Sequence, residues 1–198
     1  MDYQIFNEPF PHVIIKDTFS EDQLTLIWRE LEFLLEKLVG PDGYGGAKMP
    51  DGTYLTASKG MSLDTLYGVR NVSDILNITK EVFFDDDDFI EELVKNNEYW
   101  VTYKHSNEDF TKVRRYYPGD GYEPHADYWV NLIISTTFCR EDDVGGNLYF
   151  PVQDYEIETK NNQTVIFPGY IQHSVTDVME HDRYAVTKFV VCSGKDAS

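Results

Sequence analysis

At Glu98 the hydrophobic pattern of this 198-residue chain changes period. Upstream, Leu24, Ile27, Leu31, Leu34, Leu35 and Leu38 recur at helical spacing and define one amphipathic helix. Ser20 stands at its N-cap, Glu21 and Asp22 fall in its first turn, Gln23 takes the capping-box position, and Gly40 stops it. Further helices are predicted over 73 to about 84 and over 88 to 95. Downstream come short β-rich runs at 99–103, 109–117, 129–138, 147–150, 163–167, 173–178 and 184–192. Turn chemistry separates them: Pro118-Gly119-Asp120-Gly121, Asp142-Asp143-Val144-Gly145-Gly146, Asn161-Asn162 and Pro168-Gly169. With one early strand over 10–16, the order reads as an α+β, mainly β chain. Its sheets should form a sandwich or jelly roll, with the N-terminal helices packed on one face. No repeat or linker divides it, so 1–198 is expected to be a single domain, with a helical support region about 18–96 and a β core about 98–192.

Composition narrows the function. Hydrophobic residues make up 41% and aromatics 15%, which suits a packed core. A formal net charge of −18 repels phosphate backbones, so no nucleic-acid partner is expected, and a basic or neutral target is favoured. No signal peptide is visible and no run approaches the roughly 20 apolar residues of a membrane span, so a cytoplasmic protein with no membrane partner is expected. Cys139 and Cys192 sit in apolar runs and read as reduced core residues. The glycine-rich stretch 40–62 reads as a long loop, placed to serve as a lid. The run Asp85-Asp86-Asp87-Asp88 lacks the alternation of a calcium loop and fits a helix N-terminus.

The sharpest chemical signal is His125-Ala126-Asp127. Two positions apart on an extended strand, His125 and Asp127 share a face. His173, from a distant strand, would complete a two-histidine, one-carboxylate set that binds ferrous iron on one side and leaves the opposite positions open. Zinc accepts the same donors, although the helical His-Glu-x-x-His pattern of zinc hydrolases is absent. His105 and His181 lie in polar turns and read as surface residues, and His12 as a structural histidine.

Arg115-Tyr116-Tyr117-Pro118-Gly119 followed by Tyr122-Glu123-Pro124-His125-Ala126-Asp127 resembles the metal-binding signature of 2-oxoglutarate- and Fe(II)-dependent dioxygenases, above all their prolyl 4-hydroxylase-like branch. Gly145-Gly146-Asn147-Leu148-Tyr149-Phe150-Pro151, Thr164-Val165-Ile166-Phe167-Pro168-Gly169 and His173-Ser174-Val175-Thr176 resemble later motifs of that branch, in the same order. The resemblance implies a double-stranded β-helix (jelly roll) with iron held by His125, Asp127 and His173. It implies 2-oxoglutarate as cosubstrate, its far carboxylate on Arg183 and a hydrogen bond to it from Tyr116, with Tyr117 facing the other way. Tyr122, Trp129, Ser135 and Thr137 become candidate pocket residues, and Lys188 falls on the opposite strand face from Arg183. The implied reaction consumes O2, with ascorbate as a possible further cofactor, and hydroxylates an unactivated C–H bond; halogenating relatives lack the carboxylate that Asp127 supplies. The first-choice substrate is a prolyl residue in a peptide or protein, and the alternative a free amino acid or other small molecule. A non-catalytic jelly-roll binding module is disfavoured by the intact set of His125, Asp127, His173 and Arg183.

Overall fold

The computed structural model describes residues 2–141 and 144–192; the predicted turn residues Asp142 and Asp143 lie outside them. The strands are β1 (Asp2–Phe6), β2 (His12–Lys16), β3 (Lys59–Ser62), β4 (Glu108–Tyr116), β5 (Tyr122–His125), β6 (Leu132–Cys139), β7 (Leu148–Phe150), β8 (Tyr155–Ile157), β9 (Gln163–Pro168), β10 (His173–Val175) and β11 (Arg183–Val191). The α-helices are α1 (Glu21–Leu34), α2 (Pro41–Tyr44), α3 (Leu63–Leu66), α4 (Asp74–Phe84), α5 (Asp87–Asn96) and α6 (Val101–Lys104).

One antiparallel sheet has seven strands in the order β1-β2-β9-β6-β11-β4-β3, and a second has four in the order β5-β10-β7-β8. The sequence β4–β11 thus winds back and forth between two layers, a double-stranded β-helix whose sheets stay separate, with no ladder closing them into a barrel among the described strands. Alternation assigns each face of the large sheet. Ile133, Val165, Phe167 and Phe189 join Leu148, Phe150 and Ile157 of the small sheet in the inter-sheet core. Their neighbours Leu132, Ile134, Ile166, Val186 and Val190 pack against the helices. Covered on both faces, β6 and β11 are buried almost throughout, their polar Thr136, Thr137, Arg183, Thr187 and Lys188 included.

The helical layer follows its caps. The Ser20 hydroxyl accepts from Gln23 N, and the Gln23 side chain accepts from Ser20 N at 3.0 Å, closing the capping box. In the predicted acidic run, Asp86 caps α5 by accepting from Phe89 N at 3.0 Å. The buried Glu30 of α1 takes the start of α4: its carboxylate accepts from Ser73 Oγ at 2.7 Å and from Ile75 N at 2.8 Å. This anion fixes the crossing of the two helices and lies at the positive end of the α4 dipole. Glu30→Ala would strand both donors in the core and is expected to cost about 1–3 kcal/mol, read as a lower urea midpoint at unchanged slope.

Lys188 lies on the helix-facing side of β11, as strand alternation from Arg183 requires. It is 1% exposed, and its Nζ donates to Asp109 Oδ2 at 2.7 Å and to Thr111 Oγ1 at 3.2 Å. Burial opposes the Asp109 charge, but Arg70 and Lys188 outweigh it and hold that carboxyl below its usual range.

Several expectations need correction. Residues 99–103 are not a strand but a 3-10 turn (Glu98–Trp100) followed by α6. Asn97 Oδ1 accepts from Tyr99 N at 2.9 Å and starts the turn, and burial of Trp100 and Tyr103 on one side overrides their β propensity. The Tyr103 hydroxyl donates to Phe83 O at 2.7 Å. The stretch 40–62 is not a plain loop: it holds α2, a Lys48–Tyr54 bridge and β3. Cys139 is buried as expected, whereas Cys192, just past β11, is exposed. No helix among the described residues is long and apolar enough to cross a membrane.

Candidate metal centre

β5 and β10 pair antiparallel with His125 directly opposite His173. Residues far apart in sequence therefore become cross-strand neighbours, with ring centroids 4.4 Å apart. β5 is an edge strand, so Pro124 inside it forfeits no ladder bond to a second neighbour. Asp127 lies just beyond β5 rather than on it, and its position is set by the backbone: Asp127 N donates to Gly169 O at 2.8 Å. A Cβ on Gly169 would come within 2.9 Å of Asp127 O and 2.7 Å of Val130 O, so only glycine permits this approach. That is the structural reason for the Pro168-Gly169 turn.

Asp127 Oδ2 lies 3.8 Å from His173 Nε2 and 4.0 Å from His125 Nε2. The three donor atoms lie within 4.8 Å of one another, the one such group among the described residues. Two donors that share an ion at about 2.0–2.2 Å can be separated by about 4.4 Å at most, so the Asp–His spacings admit a single ion. The histidine tautomers are fixed as well. His125 Nδ1 sits 2.8 Å from Glu123 O and His173 Nδ1 2.9 Å from Ile171 O. A carbonyl only accepts, so each Nδ1 carries the proton and each Nε2 offers a lone pair towards Asp127. Burial, reinforced by His125, pushes His173 down to about 3, and burial lowers His125 too. Both imidazoles are therefore neutral at pH 7, the form that ligates.

The triad lines a cavity that runs between the sheets, shared with Arg183, Tyr116, Ser135 and Thr137. Arg183 is 3% exposed; its Nη2 donates to Thr137 Oγ1 at 2.8 Å, while Nε and Nη1 are buried without partners. Burial pushes its pKa down, yet guanidinium stays protonated in proteins, so a desolvated cation with two unused donors faces the cavity. That donor set fits a carboxylate. The Gly-Gly turn makes room for it: both glycines have positive φ, and a Cβ on Gly146 would lie 2.6 Å from Arg183 Cδ. Tyr116, opposite Arg183 in the β4–β11 register, lines the cavity with its ring centroid 5.3 Å from the guanidinium. Tyr117 points the other way, 4.6 Å from the Arg115 guanidinium.

Tyr122 stacks on His125 at 4.2 Å, and Trp129, 55% exposed, stacks on Phe189 at 5.4 Å at the rim. The stretch 40–62 is tied to this end of the cavity, since Glu123 N donates to Leu55 O at 2.8 Å and Thr56 Oγ1 to Gly121 O at 2.8 Å. His105 and His181 are exposed and outside the cluster. His12 is buried, with Nδ1 2.9 Å from Phe10 O and Nε2 3.2 Å from the Tyr155 hydroxyl, a structural role. Sequence reasoning missed Arg114, which also lines the cavity. Its signal was the strand period: Arg114 is two residues from Tyr116 and shares its face.

Residues 111–191 match the family model of the 2OG-Fe(II) oxygenase superfamily. No curated protein matches the chain. Among solved structures, a Pseudomonas putida prolyl-4-hydroxylase superposes with TM-score 0.62 at 12% identity, covering 91% of each chain. The viral collagen prolyl hydroxylase of Paramecium bursaria Chlorella virus-1, in its 2OG complex, gives TM-score 0.56 at 13% identity over 90% of this chain and 94% of that one. An oxidoreductase of the 2OG-Fe(II) oxygenase family from Burkholderia pseudomallei gives 0.61 at 13% over 91% and 85%. At such identities the likeness speaks for the fold, and the family match, together with a His-Asp-His cluster facing an unpaired arginine, speaks for the chemistry. Residues 111–191 therefore resemble the 2OG-Fe(II) oxygenase superfamily, and the chain shares the fold of the prolyl 4-hydroxylase structures around a His-Asp-His cluster able to hold a metal ion.

Proposed function

We propose that this enzyme hydroxylates a prolyl residue in a peptide or protein, with His125, Asp127 and His173 holding Fe(II), and Arg183 and Tyr116 holding 2-oxoglutarate. The observation that carries the reading is the sharing of one cavity by three converging ligand atoms and the two unpaired donor nitrogens of Arg183, Nε and Nη1. Bound Fe(II), with 2-oxoglutarate and O2, supplies a two-electron oxidation that inserts one oxygen atom into a C–H bond and yields succinate and carbon dioxide.

The chain's own residues do the positioning. Glu123 O and Ile171 O keep the two imidazoles oriented with Nε2 inward, and the Gly169 carbonyl holds the Asp127 backbone. Arg183 supplies a planar fork for the far carboxylate of 2-oxoglutarate, braced by Thr137 so that little ordering remains to be done on binding. Tyr116, beside Arg183 on the same face of the large sheet, donates its phenol O–H to the cosubstrate. Phe167 and Val165 line the inner wall and keep water from the reacting centre. We take 1–198 as one catalytic unit, the helices bracing the outer face of the large sheet. Proline enters because the structures this chain resembles include a Pseudomonas putida prolyl-4-hydroxylase and a viral collagen prolyl hydroxylase.

Incubating Fe(II)-loaded protein with 2-oxoglutarate, O2 and a library of proline-containing peptides should produce a gain of about 16 Da on proline, in step with succinate. Oxidation confined to non-prolyl molecules would set the proline assignment aside while leaving the ligand assignments intact.

A further inference from the structure

Arg114 is the charged group in the cavity that the proposed reaction leaves without a task. On β4 it stands opposite Ala185 of β11, one step along the strand face from Tyr116. It is 8% exposed, and its Nε is buried with no hydrogen-bond partner. The guanidinium rests 5.0 Å from the ring centroid of Tyr122, which itself stacks on His125. Lys112, two residues earlier on the same face, donates to Gly45 O at 3.2 Å. No ion pair joins either cation to a carboxylate among the described residues.

Arg114 also sits at a junction. Arg183 lines only the inner cavity, whereas Arg114 lines that cavity and an outer cleft beside the metal ligands. The cleft is walled by Lys112, Tyr122, His125, Asp127, Trp129 and Phe189. Two cations held near each other, one of them buried with an unused donor, form a subsite for an anion. The rest of the protein works against anions, since a net charge of −18 repels them at long range. Selection for an anionic group must therefore be made locally, and here the local charge is opposite in sign to the whole.

We propose that Arg114 and Lys112 bind a carboxylate of the substrate, so that the molecules this enzyme oxidises carry a carboxylate close to the carbon that is hydroxylated. The apolar part of such a molecule would lie along the stacked Trp129 and Phe189 rings. This rests on the dioxygenase reading of the site and refines its substrate class. The carboxylate could be that of a small free acid or that of an acidic residue in a peptide.

Calorimetric titration of protein loaded with Fe(II) and saturating 2-oxoglutarate, without oxygen, tests it with three matched pairs. These are N-acetyl-L-proline against N-acetyl-L-prolinamide, a blocked prolyl tetrapeptide with Glu or Gln beside proline, and 3-phenylpropionate against 3-phenylpropionamide. The carboxylate member of at least one pair should bind about tenfold more tightly or better, and Arg114→Gln and Lys112→Met should each erase that preference. Preference in the first pair assigns a small acid, and in the second an acidic peptide. Preference in the third pair alone keeps the anion subsite but fails the prolyl assignment. Absence of preference in all three pairs overturns the proposal. So does an Arg114→Gln protein that keeps the preference and loses 2-oxoglutarate affinity instead, because Arg114 then serves the cosubstrate. If Arg114→Gln does not fold, the wild-type preference and the Lys112→Met protein decide.

Discussion

Arg183→Met should bind 2-oxoglutarate at least about 30-fold more weakly than the wild type. Truncating one partner of a buried, hydrogen-bonded charge pair costs about 2–5 kcal/mol, and the lower end of that range is already more than a tenfold step. The same substitution should not weaken the ligand-free protein. There the guanidinium is buried with Nε and Nη1 unpaired, so replacing it by an apolar side chain of similar length removes a desolvation penalty. Thermal unfolding should therefore show an equal or higher midpoint for Arg183→Met without 2-oxoglutarate, and little of the upward shift that saturating 2-oxoglutarate gives the wild type. A merely structural arginine would behave the opposite way, losing stability without ligand. Arg183→Lys should fall between, keeping the charge but not the fork that pairs two carboxylate oxygens.

Asp127→Ala is the second large effect. Asp127 is the anionic member of the cluster, and two neutral imidazoles alone hold a hard divalent ion poorly. Loss of groups that only support a ligand typically costs 10–100-fold in metal affinity or activity, so loss of the ligand itself should exceed about a hundredfold in Fe(II) affinity and in succinate formation. Metal analysis after dialysis checks the first and an end-point succinate assay the second. Near-normal turnover by Asp127→Ala would mean the carboxylate ligand is another residue.

The main helices α1, α4 and α5, the Ser20 capping box and the acidic start of α5 were legible because each depends on residues within one turn of each other. The metal cluster was legible for a different reason: its motifs are short and the resemblance supplied their order. What periodicity could not give was decided by tertiary contact. Trp100 and Tyr103 have strand-forming side chains, yet they bury together on one helical turn against the helix layer. β1, β3, β5 and β8 are short edge or flanking strands whose pairing partners lie elsewhere in the chain. Asp127 falls outside β5, and it reaches the histidines because Gly169 lets two backbones touch rather than because of strand alternation. Arg114 escaped notice because a charged residue in a strand reads as solvated, although its two-residue spacing from Tyr116 puts both side chains on one face, and the pairing of β4 with β11 makes that face the inner one.

Net charge misleads at the site for the same reason. The −18 total is a surface property, while the cavity wall carries Arg114 and Arg183. A long-range field governs approach, but the groups within a few ångströms govern what stays bound.

Anaerobic titration of 2-oxoglutarate into Fe(II)-reconstituted protein is the most direct measurement of the central claim, the union of a His125–Asp127–His173 iron centre with an Arg183 carboxylate site in one cavity. The expected result is saturable binding of one 2-oxoglutarate per chain, weakened when iron is withheld and weakened further in Arg183→Met. An isotherm with no binding in the presence of iron, or one unchanged by removing both iron and Arg183, would contradict it.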